Sequence, residues 1–346
     1  MPKASSKPKT RIALNGLGRI GRVFLRIASN NPNFEIVAAH SRGDVETYAH
    51  LLKYDSTYGT WDKSVDVKNG HLVANGVKIP YYRAEGDALP WKKIGVDFVL
   101  DATGRFTKRN EAEKHLAAGA KYVMASAPMS DADETFVFGA NEKKFEPQTH
   151  RIISGGSCTT VCSTLTMKVL EETFGVNQAF INTVHAVTGD QSLLDASHKD
   201  LRRARSAMES IIPTTTGVSK TIVKIYPHLE GKISGLSLRV PVLNPSLVVL
   251  TAELKKPATK EYFNKAFSKA ATGELKGLLA VNNLPLVSTD FRANPHGAIV
   301  DLFSSEIVNG RLANVLAWYD NEWGYVQQMV YLLEYLCKRI SQADKK

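Results

Sequence analysis

The run Gly16-Leu17-Gly18-Arg19-Ile20-Gly21 constrains this chain more than any other feature. It follows an apolar stretch over 11–15 that reads as a strand and opens a stretch over about 19–29 that reads as a helix. In that setting each glycine has a reason. The first permits a tight turn, the second lets backbone approach a pyrophosphate, and the third lets helix and strand pack closely. The helix N-terminus presents its free N–H groups to the anion. The expectation is a dinucleotide-binding unit with Gly16, Gly18, Arg19, Ile20 and Gly21 at the cofactor.

The next predicted strand, over 34–39, leads into His40-Ser41-Arg42. A site of this kind places a carboxylate about 20 positions after the glycines, on the ribose 2′-hydroxyl. No acid stands there; the next is Asp44. Ser41 and Arg42 suit a 2′-phosphate, so NADP is expected, with NAD the alternative. The alternative holds if Arg42 is a plain loop residue and Asp44 or Glu46 folds back to the ribose.

The first half of the chain alternates strand and helix patterns, the mark of a parallel sheet covered on both faces. The continuous apolar run DFVLDA over 97–102 reads as a central strand. Asn110 can cap a helix over 111–118 that Gly119 ends, and strands follow over 122–125 and 151–154. Beyond Cys158 the pattern changes. A helix over about 159–173 precedes longer alternating runs over 178–187, 233–240 and 246–254, which read as an antiparallel sheet. The last helix, about 322–341, carries Val326, Met329, Val330, Leu333, Leu336 and Ile340 on one stripe, and its return to the first domain is expected. The fold class is therefore α/β: a Rossmann-type parallel-sheet domain over 1–157 and 321–346, and an α+β catalytic domain with a mixed or antiparallel sheet over 158–320.

Composition narrows the function classes. Hydrophobic residues make up 43% and charged residues 23% of the chain, as in soluble globular proteins. No run approaches the roughly 18 apolar residues of a membrane span. Residues 1–10 are basic but lack an apolar core behind them, so they read as a disordered tail rather than a secretory signal. The net charge of +10 is spread along the chain with no basic run beyond two residues, which favours small anions over nucleic acid. Cys158, Cys162 and Cys337 can build neither a disulfide framework nor a zinc site. That fits a reducing compartment, and the cytoplasm is expected.

Cys158 stands between a predicted strand and a predicted helix. A thiol at a helix start feels the macrodipole and free N–H groups, which lower its pKa and favour thiolate. Cys162 and Cys337 read as small buried hydrophobes. A thiol nucleophile needs a base or cation nearby. Of nine histidines, His185 sits in Thr183-Val184-His185-Ala186-Val187, an apolar strand context where a satisfied core histidine is the default reading and a base the alternative.

Eight segments resemble one family nearly end to end, glyceraldehyde-3-phosphate dehydrogenase. They are NGLGRIGR (15–22), LLKYDSTYG (51–59), SCTT (157–160), TVHAVTGDQ (183–191), DLRRARSA (200–207), PTTTG (213–217), LRVP (238–241) and WYDNEWGY (318–325). The resemblance implies Cys158 as nucleophile and His185 as its base. Ser157, Thr159, Thr216, Gly217 and Arg239 would bind inorganic phosphate. Thr188 and Arg239 would hold the phosphate of glyceraldehyde 3-phosphate, with Arg203 as a helper. Asn321 would fix the nicotinamide carboxamide, with Tyr325 beside it, and Thr103, Gly104, Phe106 and Ser126 would line the cofactor cleft. A loop over about 190–213 would reach a neighbouring subunit's cofactor, which implies a homotetramer.

The chain departs from the family at Gly155-Gly156, usually asparagine-alanine, and at Val161, usually asparagine. Asp190 replaces a threonine of glycolytic members. TGDQ and the following Leu193-Leu194-Asp195-Ala196-Ser197 resemble photosynthetic members that use NADP, and Ser197 would add a hydroxyl to the 2′-phosphate. The run AHLLKYD (49–55) and Asp190 also resemble a sister group acting on erythrose 4-phosphate. A catalytically weak paralogue that binds nucleotides or RNA is the alternative of a different class.

Overall fold

The computed structural model describes residues 9–83 and 89–343, and these divide into two compact units. Most of the stretch 1–10 lies outside the described residues. Among the described residues, the first unit comprises 9–83, 89–136, 143–155 and 329–343, the second 137–142 and 156–328.

In the first unit, β1 (Thr10–Asn15), α1 (Arg19–Ala28), β2 (Phe34–Ser41) and α2 (Val45–Lys53) open the chain. The short pair β3 (Tyr54–Asp55) and β4 (Gly59–Thr60) follows. So does a three-stranded antiparallel ribbon of β5 (Val65–Lys68), β6 (His71–Ala74) and β7 (Val77–Ile79). Sequence patterning gave no sign of either; both are shorter than the windows on which periodicity rests. The unit is completed by β8 (Tyr81–Arg83), α3 (Trp91–Ile94), β9 (Phe98–Asp101), α4 (Arg109–Ala117), β10 (Tyr122–Ala125), β11 (Glu134–Thr135) and β12 (Ile152–Ser154). Its main sheet runs β11-β12-β10-β9-β1-β2-β8, parallel throughout. Every residue of β9 and β10 is buried, as a central parallel strand with both faces covered requires.

One cap differs from expectation. Helix α4 starts at Arg109, and Asn110 lies inside its first turn. The Glu111 carboxylate accepts from the Thr107 and Lys108 amides, both at 3.1 Å, and so sets the start earlier.

The second unit holds α5 (Cys158–Thr173), β13 (Val176–His185), β14 (Ile212–Thr214), α6 (Val218–Ile225), β15 (Ile233–Arg239), β16 (Ser246–Leu254) and α7 (Lys260–Thr272). It continues with β17 (Leu279–Asn282), β18 (Ala298–Asp301), β19 (Glu306–Val308) and β20 (Leu312–Tyr319). The sheet order is β14-β15-β13-β16-β20-β18-β17, with β19 on β20. It is mixed: β13 pairs β15 in parallel and β17 pairs β18 in parallel, while β16 and β20 run antiparallel to their neighbours. Strand β16 alternates buried and half-buried along its length, so one face forms the core. Helix α5 is buried almost all round because it packs on β13, β16, β18 and β20 and against α6 and α7.

The last helix, α8 (Trp323–Ala343), passes from the second unit into the first at Met329. Val326, Met329, Val330, Leu333 and Leu336 are fully buried, while Ile340 is half-buried. Within the first unit the Asn31 and Asn33 amides donate to Glu334 Oε1 at 2.9 and 3.1 Å, tying the helix to the turn after α1.

Candidate functional site

In the first unit the expected cofactor residues gather at the C-terminal ends of parallel strands, where α/β sheets take their ligands. Gly16 has φ +100°, and a Cβ there would meet Ala102 C and Thr103 N at 2.9 Å. A Cβ at Gly21 would lie 2.0 Å from the Gly16 carbonyl oxygen. The first glycine is thus fixed by turn geometry and the third by the approach of α1 to the loop. Gly18 differs. It is exposed, caps α1 without a side chain, and a Cβ there would find only Ala102 O, at 3.9 Å. The space before the helix start is therefore open, which fits a pyrophosphate on the amides.

Arg19 engages its guanidinium in a bidentate pair with Asp55, at 2.5 and 3.1 Å. Ile20 is half-buried. Ser41 ends β2 and is buried; its hydroxyl accepts weakly from the Leu17 amide at 3.4 Å and donates to Tyr48 Oη at 2.8 Å. Arg42 is exposed. The Asp44 carboxylate pairs with Arg83 at 2.8 Å. Thr103, Gly104 and Phe106 form the turn after β9, and Ser126 follows β10, its amide donating to Asp101 O at 2.8 Å. The Phe106 ring packs on His115 with centroids 5.0 Å apart.

The second unit carries the thiol. Ser157 caps α5, its hydroxyl accepting from the Thr160 amide at 3.1 Å, so Cys158 is the first helical residue. Its Sγ lies 3.4 Å from His185 Nε2 at the end of β13. His185 Nδ1 lies 2.7 Å from the Ala186 carbonyl, an acceptor only, so Nδ1 carries the proton and Nε2 turns its lone pair to sulfur. Parallel pairing sets His185 opposite Arg239 at the end of β15. Arg239 Nη1 donates to Thr188 Oγ1 at 3.1 Å and stands 3.2 Å from the protonated His185 Nδ1, a donor beside a donor and not a hydrogen bond, while its buried Nε has no protein partner. That guanidinium is ready for an anion.

Burial reverses the expected direction at the thiol. It pushes Cys158 up to about 11, against the pull of Arg239 and the Thr159 amide and hydroxyl. His185 is pushed down to about 3 by burial and by Arg239. The pair therefore rests as thiol and neutral imidazole, with Nε2 3.4 Å from the sulfur.

The other expected phosphate residues are partly engaged. Thr159 Oγ1 meets Tyr319 Oη at 2.9 Å. Thr216 Oγ1 accepts from the Val218 amide at 3.3 Å, and Gly217, at the start of α6, is exposed with open space where a Cβ would stand. Arg203 is tied by an ion pair to Asp190 and by a 3.0 Å bond to Thr214, so it stands committed elsewhere in the unit. Ser197 is exposed.

Asn321 is buried, its Oδ1 accepting from Ser246 Oγ at 2.9 Å; Ser246 Oγ in turn accepts from the Ala186 amide at 3.0 Å. Tyr325 donates to Gly156 O at 3.1 Å. Sequence reasoning missed Ser246 and Tyr319. Tyr319 is fully buried, bonded to Thr159, with its ring edge-on to His185 at 6.1 Å. Its only signal was its place in WYDNEWGY; Ser246 had none.

A Rossmann-type unit with an open glycine cradle, and a unit that pairs a thiol with an imidazole beside a buried arginine, define a dehydrogenase of the nicotinamide-dependent class. Comparison with known proteins specifies it. Residues 10–109 match the model for the NAD binding domain of glyceraldehyde 3-phosphate dehydrogenase, and residues 157–321 match its C-terminal domain. The glyceraldehyde-3-phosphate dehydrogenase of Geobacillus stearothermophilus is 48% identical over 331 residues, 95% of this chain and 98% of its own. Glyceraldehyde-3-phosphate dehydrogenase 2 of Bacillus subtilis is 45% identical over 333 residues, 96% of this chain and 98% of its own. The chain belongs to the glyceraldehyde-3-phosphate dehydrogenase family and is an oxidoreductase. Among the described residues no helix is long and apolar enough to cross a membrane.

Proposed function

We propose that the enzyme oxidises glyceraldehyde 3-phosphate, with inorganic phosphate, to 1,3-bisphosphoglycerate through a thioester on Cys158. The observation that carries this reading is the 3.4 Å approach of Cys158 Sγ to an imidazole whose other nitrogen is locked as a donor. The division of labour is cofactor binding by residues 1–157 and 321–346, and chemistry by residues 158–320.

The thiol proton moves to His185 Nε2 as sulfur adds to the aldehyde carbon, and it returns to the oxygen to give a thiohemiacetal. His185 then removes that hydroxyl proton while the carbon gives up its hydride. The nicotinamide ring supplies the hydride acceptor when bound. Carbon is left as a thioester; inorganic phosphate attacks it, and the acyl phosphate departs with return of the Cys158 sulfur. Arg239 and Thr188 hold the substrate phosphate. Arg239, Thr216, Gly217 and the helix start at Ser157–Thr159 receive the attacking phosphate, with Arg203 helping once freed from Asp190. Asn321 fixes the carboxamide and Tyr325 supports it. Apolar side chains stand exposed over 190–213, among them Leu193, Leu194, Leu201 and Ile211, which supports burial against other copies in a homotetramer.

The same reading holds that NADP is accepted well and preferred to NAD. A carboxylate is missing at Ser41, so nothing there repels a 2′-phosphate. Arg42 is at hand, and Asp44 is occupied by Arg83. Ser197 adds a donor from the neighbouring subunit. Initial rates with both cofactors, on glyceraldehyde 3-phosphate and erythrose 4-phosphate, test all of this. NADP with glyceraldehyde 3-phosphate should give the highest kcat/KM, and Cys158→Ser should abolish turnover while Cys162→Ser and Cys337→Ser keep most of it. A clear preference for NAD removes the NADP assignment, and full turnover by Cys158→Ser removes the thioester. Names of the relatives favour the three-carbon aldehyde, and the intact thiol–imidazole pair speaks against a non-catalytic paralogue.

A further inference from the structure

The ends of three strands in the first unit are joined by side chains that no step above uses. Asn15 ends β1 directly before Gly16, His40 precedes the last residue of β2, and Asp101 ends β9. His115 reaches in from α4 and Trp91 from α3. Asn15, Asp101, His115 and Trp91 are fully buried, and His40 is half-buried.

The direction of each bond follows from chemistry. An indole nitrogen only donates, so the 3.0 Å contact of Trp91 Nε1 with His115 Nδ1 makes Nδ1 an acceptor and leaves the imidazole proton on Nε2. That Nε2 lies 3.6 Å from Asp101 Oδ2 and 3.3 Å from Asn15 Nδ2, so its proton faces the carboxylate and the Asn15 contact is no hydrogen bond. Asn15 Nδ2 donates to the same oxygen at 2.5 Å, so Asn15 Oδ1 accepts from His40 Nδ1 at 2.6 Å. The other oxygen, Asp101 Oδ1, accepts from the Thr103 amide at 3.1 Å and the Thr103 hydroxyl at 2.8 Å. Every polar neighbour of Asp101 is a donor, as suits a buried carboxylate. Thr103 Oγ1 passes the constraint on by accepting from the Arg105 amide at 3.1 Å, and the Phe106 ring rests on His115. The turn over 103–106 is thus hung from Asp101 at one end and rests on His115 at the other, and its start lies so near Gly16 that a Cβ there would meet Thr103 N at 2.9 Å.

We propose that Asp101, His115 and Asn15 are positioning residues that preset the 103–106 turn against the glycine loop, so that a nicotinamide dinucleotide meets an ordered wall. A turn ordered before binding costs nothing to order on binding, and affinity rises accordingly. The idea rests on the reading that this unit binds such a cofactor. None of the three residues touches the reacting atoms.

Isothermal titration of the full-length enzyme with NAD and with NADP tests it, without turnover. Asp101→Asn puts a donor where three donors bond and a fourth N–H faces the carboxylate, and should weaken cofactor binding by about tenfold. It should leave kcat at saturating cofactor, the aldehyde KM and Cys158 alkylation as in the wild type. His115→Phe keeps the ring packing but removes the N–H that faces Asp101 from 3.6 Å, and should weaken binding in the same direction. His115→Gln restores a donor and should recover part of the affinity. If Asp101→Asn does not fold, the two His115 variants decide. Wild-type affinity in Asp101→Asn or in His115→Phe overturns the proposal, as does a loss in kcat with cofactor affinity intact. Failure of the wild type to bind either dinucleotide overturns the underlying reading instead.

Discussion

His185 shows how much a single side chain's surroundings decide. Its Nδ1 proton is taken by the Ala186 carbonyl, its Nε2 faces sulfur, and burial with Arg239 keeps it neutral. Neutral imidazole is the form a base needs. Iodoacetamide alkylation of Cys158 should rise with pH as the thiol loses its proton. In His185→Asn alkylation near neutral pH should slow, because asparagine cannot take the thiol proton as sulfur attacks; an unchanged rate would separate the histidine from the thiol. Arg239 is a second case. Its Nη1 donates to Thr188 and stands beside the imidazole, while its buried Nε has no protein partner. Lysine has one point of charge and no planar fork. Arg239→Lys should cost one to two orders of magnitude in kcat/KM, about 1.5–3 kcal/mol for a charged hydrogen-bond set. The loss should be far smaller with an unphosphorylated aldehyde, and equal losses on both substrates would point to a folding defect.

Among the elements, the loop from β1 to α1 separates two roles that one motif combines. A methyl at Gly21 collides with the Gly16 carbonyl at 2.0 Å, so α1 must shift. Gly21→Ala should destabilise the protein by roughly 1–3 kcal/mol, seen as a lowered Tm. A methyl at Gly18 meets nothing closer than 3.9 Å. Gly18→Ala should therefore fold with near wild-type Tm yet bind dinucleotide much more weakly, because the methyl fills the open cradle. Wild-type cofactor affinity in Gly18→Ala would mean that the phosphates lie elsewhere. This loop was legible because a strand, a tight turn and a helix start are local events. The cap of α4 was not: a long carboxylate reaching back from Glu111 outweighed the capping preference of Asn110.

Across the whole molecule, buried histidines set the acid limit. Burial lowers His185, His40 and His296 from the ordinary imidazole value, with Arg239 adding to the effect at His185 and His115 at His40. The unfolded chain titrates near 6.5, so above that pH both states are neutral and the stability is fully present. As pH falls through 6.5 the unfolded state takes up protons that the folded state refuses. For His185 the loss continues down to about 3, at up to about 1.4 kcal/mol per pH unit. Tm should fall from pH 7 to pH 5, and less steeply in His185→Asn. A flat profile would mean that these groups titrate freely in the folded protein.

By itself the sequence determined what neighbours along the chain can determine. The glycine loop, the central strands, the helix that starts at Cys158 and the absence of an acid at Ser41 all follow from local geometry and patterning. Tertiary structure decided which distant residues meet. Parallel pairing of β13 with β15 brings Arg239 to His185, and β20 carries Tyr319 to Thr159 from 160 positions away. Asn15 meets Asp101 across 86 positions. No periodicity encodes such registers, because each depends on how strands far apart in sequence align. Tertiary structure also decided charge. The helix start alone argues for a lowered thiol pKa, but enclosure of Cys158 and His185 favours their neutral forms, and only the packed fold fixes how much water is excluded.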